Sequence, residues 1–142
     1  MMDKEGLIEL LVSGLKEFEN APMRNFADHV KGNGRPIKSD LDRAGVYAIY
    51  EGDGCIYVGC TGKNKRTLGD RIANLFFVDK QEKASKHTRS NKLLRRFGSI
   101  ESVRQYYLKE CKFKAVKTEN ILEACFLESA LILMLLPIWN EK

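Results

Sequence analysis

The first part of the chain shows apolar residues with the period of a helix. Over residues 3–19, apolar side chains recur at three- and four-residue steps with charged side chains between them, which predicts an amphipathic helix that needs a surface to pack against. Residues 20–44 hold two prolines and two glycines and have no clear period. They predict a connector with one turn of helix near residues 26–30.

At Gly45 the pattern changes to that of β-strands. Residues 46–50 (VYAIY) and 55–59 (CIYVG) are rich in β-branched and aromatic side chains, and Glu-Gly-Asp-Gly separates them. Two such segments joined by a short glycine-rich link are typical of a β-hairpin. The sequence therefore predicts a hairpin in this part of the chain.

Two helices and a third strand are predicted after the hairpin. Apolar residues at helical spacing indicate helices over residues 68–77 and 88–97, and Gly98 is placed as the C-terminal stop of the second helix. Residues 102–108 (SVRQYYL) have the composition of a strand. We therefore predict the third strand there.

The last predicted helix, over residues 120–136, is the most apolar element. Asn120 is placed as its N-cap, Glu123 as the capping partner and Pro137 as its end. Apolar residues surround nearly the whole helix, which predicts burial on most faces, yet Glu128 stands in the middle. A buried, isolated carboxylate is costly, so we expect it to be paired, protonated or bound to a metal; the alternative is a narrow exposed stripe.

The composition is that of one ordinary globular domain, with 142 residues of which 44% are hydrophobic and 30% charged. No stretch reaches about 20 uninterrupted apolar residues, and the start MMDKEG is acidic overall, unlike the basic start of a signal peptide. We therefore expect a cytoplasmic protein with no membrane partner. The four cysteines form no C-x-x-C pair, which argues against a zinc knuckle and favours reduced, packed thiols.

Positive charge is concentrated in the second half of the chain. The formal net charge is +5, and residues 80–96 hold seven basic side chains against one acidic side chain. Such a run is either a solvated helix face or a contact for the phosphate backbone of a nucleic acid, because clustered cations release counterions from a polyanion. With one lysine from the loop after the hairpin, the candidate DNA contacts are Lys63, Lys86, Arg89, Lys92, Arg95 and Arg96.

Five short signals occur in a fixed order over residues 44–142. They are Gly45-Val46-Tyr47, Tyr57-Val58-Gly59, Arg71 in the following helix, Glu128 in the last helix, and Asn140 after the proline. In order and approximate spacing, this part of the chain resembles the catalytic domain of the GIY-YIG nuclease superfamily. Residues 1–43 lie outside the resemblance and are treated as a separate N-terminal helix and connector.

The resemblance implies an α+β fold in which helices flank a small three-stranded antiparallel sheet, with the N-terminal helix as an addition. It also implies a metal-dependent endonuclease that hydrolyses phosphodiester bonds in DNA with one divalent ion, Mg²⁺ or Mn²⁺. By the same resemblance, Tyr47 and Tyr57 line the site, Arg71 contacts the scissile phosphate, and Glu128 holds the metal. Gly45, Gly59 and Asn140 support the structure of the site.

The chain departs from the family pattern after Arg71. Many members have a polar side chain one helical turn later, where this sequence has Leu75, and Cys60 occupies a position that is often polar or basic. His87 is the candidate catalytic replacement, with an incidental surface histidine as the alternative. Because of this departure, the alternative function is that of a catalytically inactive nucleic-acid-binding module with the same fold. The N-terminal helix is a candidate for self-association or partner docking.

The hairpin loop decides whether the two tyrosines share a face of the sheet, because side chains alternate along a strand and paired residues share a face. A two-residue loop would place Tyr47 and Tyr57 on opposite faces. A three-residue loop over residues 52–54 with Gly54 left-handed, or a bulge of the same effect, would pair Tyr47 with Gly59 and bring both phenols to one face. We predict this second arrangement.

Overall fold

The computed structural model describes residues 1–61, 66–76 and 88–140, and within them it has the predicted α+β class. In chain order, the elements are α1 (Lys4–Asn20), β1 (Arg24–Asn25), a 3₁₀ turn (Phe26–Asp28), β2 (Gly45–Glu51), β3 (Gly54–Cys60), α2 (Leu68–Asn74), α3 (Thr88–Phe97), α4 (Ile100–Glu110), β4 (Cys111–Lys117) and α5 (Ile121–Leu135). The described residues contain no helix with both the length and the hydropathy of a membrane span.

The sheet has four antiparallel strands in the order β1-β4-β2-β3, one more than predicted. The additional strand, β1, has only two residues and pairs with the outer side of β4. Strand β4 follows the hairpin by about fifty residues yet pairs with β2 along its whole length. Strand β3 is therefore an edge strand.

The predicted third strand over residues 102–108 was wrong, because these residues belong to α4. The side chain of Ser99 accepts a hydrogen bond from the backbone N–H of Ser102 and caps the helix. Val103 and Tyr107 are both fully buried, and their spacing of four residues fits one helix face as well as one strand face. The third long strand is β4, where Cys111, Phe113 and Ala115 are buried.

Each face of the sheet packs on a different set of helices. The face that carries the two site tyrosines, called the tyrosine face, packs against α2, α3 and α4. The opposite face, called the α5 face, packs against α1 and α5. The tyrosine face consists of Tyr47, Ile49, Tyr57, Phe113 and Ala115, and the α5 face of Val46, Ala48, Tyr50, Val58 and Val116.

Residues 1–43 contribute to both hydrophobic clusters. Helix α1 lies on α5 so closely that a Cβ at Gly14 would come 2.5 Å from a methyl carbon of Leu127, and Phe18 is buried on the α5 face. The 3₁₀ turn, where one turn of helix was predicted, buries Phe26 completely on the tyrosine face. The N-terminal segment thus covers the sheet on both sides.

Helix α5 is less buried than its sequence suggested. The side chain of Asn120 accepts a hydrogen bond from Glu123 N–H, as predicted, but Glu123 accepts from the N–H of Glu119 rather than from that of Asn120. The prediction of burial on most faces was wrong, because α1 and the sheet cover only one side. The exposed apolar residues at and beyond its two ends are Leu122, Leu133, Met134, Leu136 and Ile138.

Candidate active site

The hairpin pairs Tyr47 with Gly59 and Ile49 with Tyr57, which is the predicted register. Both phenols therefore lie on the tyrosine face, with ring centroids 6.2 Å apart. This confirms the geometric expectation that the two tyrosines belong to one side of the sheet.

A β-bulge, rather than a three-residue loop, produces that register. Glu51 pairs with Gly54, so the loop has two residues, and Ile56 is the extra residue of a β-bulge that restores the parity further along the strands. The left-handed residue is Gly52, with φ of 59°, so the expectation of a left-handed Gly54 was wrong. A two-residue turn of this kind favours glycine where φ is positive.

The two phenols differ in their access to solvent. Tyr47 has no exposed surface, whereas Tyr57 is half-buried. Burial raises the pKa of Tyr47 well above its ordinary value, and the neighbouring Tyr57 adds to this rise. The positive charge of Arg71 acts in the opposite direction on the pKa of Tyr47. Arg71 therefore offsets part of the rise in the pKa of Tyr47.

Two glycines next to the tyrosines lie in close packing. A Cβ at Gly59 would lie 2.6 Å from the Oη of Tyr47, so the phenol fills the space that the missing side chain leaves. A Cβ at Gly45 would collide with the backbone oxygen of Val116 and the side chain of Leu68. Both glycines are thus required by close packing, in line with the supporting role expected of them.

Arg71 is held by a short, well-capped helix. The Thr67 hydroxyl accepts a hydrogen bond from Asp70 N–H at 3.1 Å, and the Asp70 carboxylate accepts from Thr67 N–H at 3.3 Å. Leu68 and Ile72 are fully buried and anchor the helix on the tyrosine face. Arg71 therefore approaches the tyrosines from the helix layer above them.

Glu128 reaches the site from the other layer. It is half-buried on α5 beside Leu127, which packs on the α5 face. Burial raises the pKa of Glu128, while the neighbouring Cys60 and the charge of Arg71 oppose that rise. Because Glu128 interacts with both Cys60 and Arg71, the candidate site lies at the end of the edge strand β3, where the two layers meet.

Asn140 closes the open edge of β3. Its side-chain oxygen accepts a hydrogen bond from Val58 N–H, and its amide group donates to the Val58 carbonyl, both at 2.8 Å. Trp139 N–H donates to the carbonyl of Ile56 at 2.9 Å. The chain after Pro137 therefore substitutes for a neighbouring strand and holds the backbone next to Tyr57 in place.

A buried polar chain below the site was not anticipated from the sequence. The Tyr107 hydroxyl lies 2.8 Å from the Ser90 hydroxyl, which donates to the Leu75 carbonyl at 2.6 Å. Tyr107 and Ser90 have no exposed surface, and Tyr107 also contributes to the raised pKa of Tyr47. The sequence did not indicate this pair, because Tyr107 lay in a predicted strand and Ser90 in the basic run. Leu75, which stands where many family members have a polar side chain, is fully buried in the core.

The basic segment is described only from Thr88 onward. Lys92, Arg95 and Arg96 are exposed on α3, on the side away from the buried Leu93 and Ser90. Arg89 lies in the first turn of this helix. The other three predicted residues, His87, Lys63 and Lys86, lie outside the described residues.

Glu128 suits a hard divalent cation. Mg²⁺ commonly binds proteins through one or two carboxylates and completes its octahedron with water and substrate phosphate oxygens. Within the described ranges, no group of three or more His, Cys, Asp or Glu side chains is arranged to hold a metal. A single half-buried carboxylate leaves most coordination positions of such an ion to water or to a further ligand.

In comparisons with known proteins, no protein-family model matches the chain and no curated protein matches it. The GIY-YIG relationship thus stays a prediction that is carried by the residues and their arrangement.

Proposed function

We propose that this protein is a cytoplasmic, metal-dependent endonuclease that hydrolyses phosphodiester bonds in DNA. The observation that carries the proposal is the convergence of four side chains from β2, β3, α2 and α5 at the end of the edge strand. They are Tyr47, Tyr57, Arg71 and Glu128. They are separated by up to 81 positions in the sequence, so local structure alone does not account for their meeting.

Arg71 supplies the fixed positive charge that this reaction needs. A phosphodiester repels an attacking hydroxide, and charge grows on the phosphate oxygens as the new bond forms. A guanidinium presents a planar fork of donors that matches two of these oxygens and keeps its charge at every physiological pH. Its place on the capped helix α2 fixes that fork close to the phenols.

The two phenols form the candidate proton-accepting group. A tyrosine with an ordinary pKa of about 10 is a poor base at neutral pH, so a phenolate needs positive charge nearby. Burial and the neighbouring Tyr57 both raise the pKa of Tyr47, so a phenolate at Tyr47 depends on nearby positive charge. Arg71 favours this deprotonation, and the half-buried Tyr57 gives the pair contact with solvent.

Glu128 would hold the divalent ion through its hard carboxylate oxygens. When bound, Mg²⁺ or Mn²⁺ supplies Lewis-acid stabilisation of the developing negative charge. Cys60 opposes the burial-induced rise in the pKa of this carboxyl and so favours the charged form that binds a cation. The exposed cations of α3 would bind the DNA backbone beside it, with Lys92, Arg95 and Arg96 as the described contacts.

Nicking of supercoiled plasmid in the presence of Mg²⁺ or Mn²⁺ tests the proposal. We expect Glu128→Ala and Arg71→Ala each to lower the nicking rate by about 10²-fold or more, since each removes charge stabilisation from the transition state. Glu119→Ala and Arg43→Ala are matched controls, because both residues are exposed and outside the site. Nicking that persists undiminished in both site variants would refute the assignment.

A catalytically inactive nucleic-acid-binding module is the second candidate. The complete burial of Leu75, where the family pattern has a polar side chain, favours it. Such a module would bind DNA with a strong salt dependence through α3 while leaving plasmid intact under every metal condition. Binding and nicking measured on the same preparation separate the two functions.

Self-association or partner docking through α1 is a further part of the proposal. Ile8 and Val12 lie four residues apart on this helix and are 50% and 60% exposed. If α1 mediates association, Ile8→Glu with Val12→Glu will lower the oligomer fraction in sedimentation experiments. An unchanged sedimentation profile would remove this role from α1.

A further inference from the structure

Two cysteines face each other between the hairpin and α5. Cys60 is the last residue of β3, Cys125 lies in the first half of α5, and their Sγ atoms are 3.6 Å apart. A disulfide bond requires a separation of about 2 Å, so the sulfurs need to approach by only about 1.6 Å. Both thiols are free, and Cys125 is exposed to solvent while Cys60 is half-buried. An oxidant therefore reaches one sulfur, and the second is next to it.

The same Cys60 thiol also serves Glu128. The thiol and the backbone N–H of Cys60 lie near enough to the Glu128 carboxyl to lower its pKa. Cys125 precedes Glu128 by three residues, so the two lie almost one turn apart on α5. The thiol pair and the candidate metal ligand therefore form one contiguous group, in which Cys60 has a carboxylate on one side and a thiol on the other.

We propose that Cys60 and Cys125 form a reversible disulfide that controls the Glu128 site. The bond itself depends only on the two thiols, whereas its effect on catalysis rests on the proposed nuclease function. Disulfides inside cells are usually transient and redox-sensing, which suits a pair that is close but reduced.

The oxidant is a low-molecular-weight disulfide such as oxidised glutathione. The Cys125 thiol loses its proton to solvent, and the thiolate attacks one sulfur of the reagent, forming a mixed disulfide and expelling one reagent thiolate. The Cys60 thiol then loses its proton, and its sulfur attacks the Cys125 sulfur and expels the second reagent thiolate. The two expelled thiolates take up the two protons. The two protein thiols are oxidised by two electrons, and the reagent disulfide is reduced to two thiols.

Oxidation changes the surroundings of Glu128 in two ways. A disulfide sulfur carries no hydrogen, so Cys60 no longer presents an S–H next to the Glu128 carboxyl. The new covalent link also ties the end of β3 to the helix that carries Glu128. Groups that orient a metal ligand in this way typically change metal affinity or activity by about 10- to 100-fold when they are removed. The oxidised protein is therefore expected to bind Mn²⁺ more weakly and to nick DNA more slowly.

Peptide mapping after treatment with oxidised glutathione tests the disulfide without any reference to activity. The wild-type protein is expected to lose two titratable thiols and to yield one peptide pair linking Cys60 to Cys125, which reducing agent separates. Cys55→Ser is the matched control, since Cys55 is a half-buried thiol in the same strand, and this variant should still form the link. Absence of the linked pair, or glutathione attached to Cys125 alone, would overturn the proposal.

Mn²⁺ binding, measured by the thermal shift of the full chain, and plasmid nicking test the consequence. Oxidation should weaken both by about tenfold or more in the wild type, and reduction should restore them. Cys125→Ser should show wild-type values before and after oxidation, because this variant cannot form the link to Cys60. Equal Mn²⁺ binding by the reduced and oxidised wild type would overturn control of the site. If neither form nicks DNA, the nuclease function fails, while mapping and Mn²⁺ binding still decide this proposal.

Discussion

The two faces of the sheet alternate along the same strands, yet they hold their polar groups in different ways. On the tyrosine face, the hydroxyls of Tyr107 and Ser90 and the Leu75 carbonyl form a closed chain of short hydrogen bonds in a fully buried layer. On the α5 face, the buried layer is almost entirely apolar, and the helix above it leaves Leu133 and Met134 exposed.

The difference shows that the two faces of the sheet supply different groups to the candidate site. The tyrosine face fixes the phenols by close packing and holds Arg71 on the capped helix α2, which suits groups that need one geometry. The α5 face provides Glu128 from a partly covered helix, next to Cys60 of the edge strand. A rigid layer therefore positions the phosphate-binding groups, while a layer open to solvent and to oxidants carries the candidate metal ligand.

The largest contrast is expected from removing one hydroxyl on each face. Tyr47→Phe should lower nicking by about 10²- to 10⁴-fold, because it deletes a member of the candidate proton-accepting pair. Tyr50→Phe removes a phenol from the same strand on the α5 face, where burial raises the pKa of Tyr50 to about 12, and should leave nicking close to wild type. Initial rates on supercoiled plasmid measure both. Equal reductions in the two variants would break the distinction between the faces.

The next contrast concerns packing around the phenols. Gly59→Ala places a methyl group 2.6 Å from the Tyr47 hydroxyl, and overpacking of this kind costs about 1–3 kcal/mol of unfolding free energy. Gly54→Ala is the matched change in the same strand, where the nearest atom is the Glu51 oxygen at 3.7 Å, an ordinary contact. Urea unfolding should show a decrease in stability only for Gly59→Ala. A stable Gly59→Ala protein would mean that the tyrosine face is less rigid than its packing implies.

A third contrast separates the cations of the two layers. Lys92→Glu with Arg95→Glu should weaken DNA binding and reduce the slope of log affinity against log salt by about 0.9 for each DNA phosphate that the variant no longer neutralises. Lys4→Glu with Lys16→Glu makes the same change of charge on α1, above the α5 face, and should leave the slope unchanged. Fluorescence anisotropy over a salt series measures both pairs. Equal slopes for the two variants would assign the α3 cations to a solvated surface.

The smallest effect is expected from the pH dependence of stability at Glu128. Its folded-state pKa is raised by burial, so the folded protein holds this proton more tightly than the unfolded chain, whose pKa is about 4.3. Burying the charged Glu128 carboxylate therefore costs no stability below that pH, and the full cost applies once the pH exceeds the raised pKa of the folded protein. Glu128→Gln should match the wild type in acid and equal or exceed its stability at neutral pH without metal. A large decrease in stability to urea at neutral pH would show that Glu128 belongs to a structural ion pair.

Local signals in the sequence were enough to predict several elements. The bounds of α3, the cap of α5 at Asn120 and the positive φ of Gly98 follow from residues within one or two turns of one another. The hairpin register was also predictable, because the parity of Tyr47 and Tyr57 depends on a short loop. The bulge at Ile56 that produces this register was one of two loop arrangements compatible with the same residues.

Other features depended on contacts between distant residues. Residues 102–108 fit a helix and a strand equally well, and the capped helix was selected where Val103 and Tyr107 complete the cluster around Phe26. The exposure of α5 could not be predicted from its apolar composition, since exposure depends on how much of the helix the sheet and α1 cover. The pairing of Asn140 with Val58 likewise requires that β3 be an edge strand.

By itself, the sequence determined the α+β class, most of the helices, the hairpin and the identity of the candidate residues, because these depend on short-range periodicity, capping and turn chemistry. The tertiary structure alone decided that Cys60 contacts both Cys125 and Glu128 and that Glu128 meets Arg71 from the opposite layer. These contacts join residues 57 to 68 positions apart. Only the packing of two helix layers around one edge strand determines the distance between such residues.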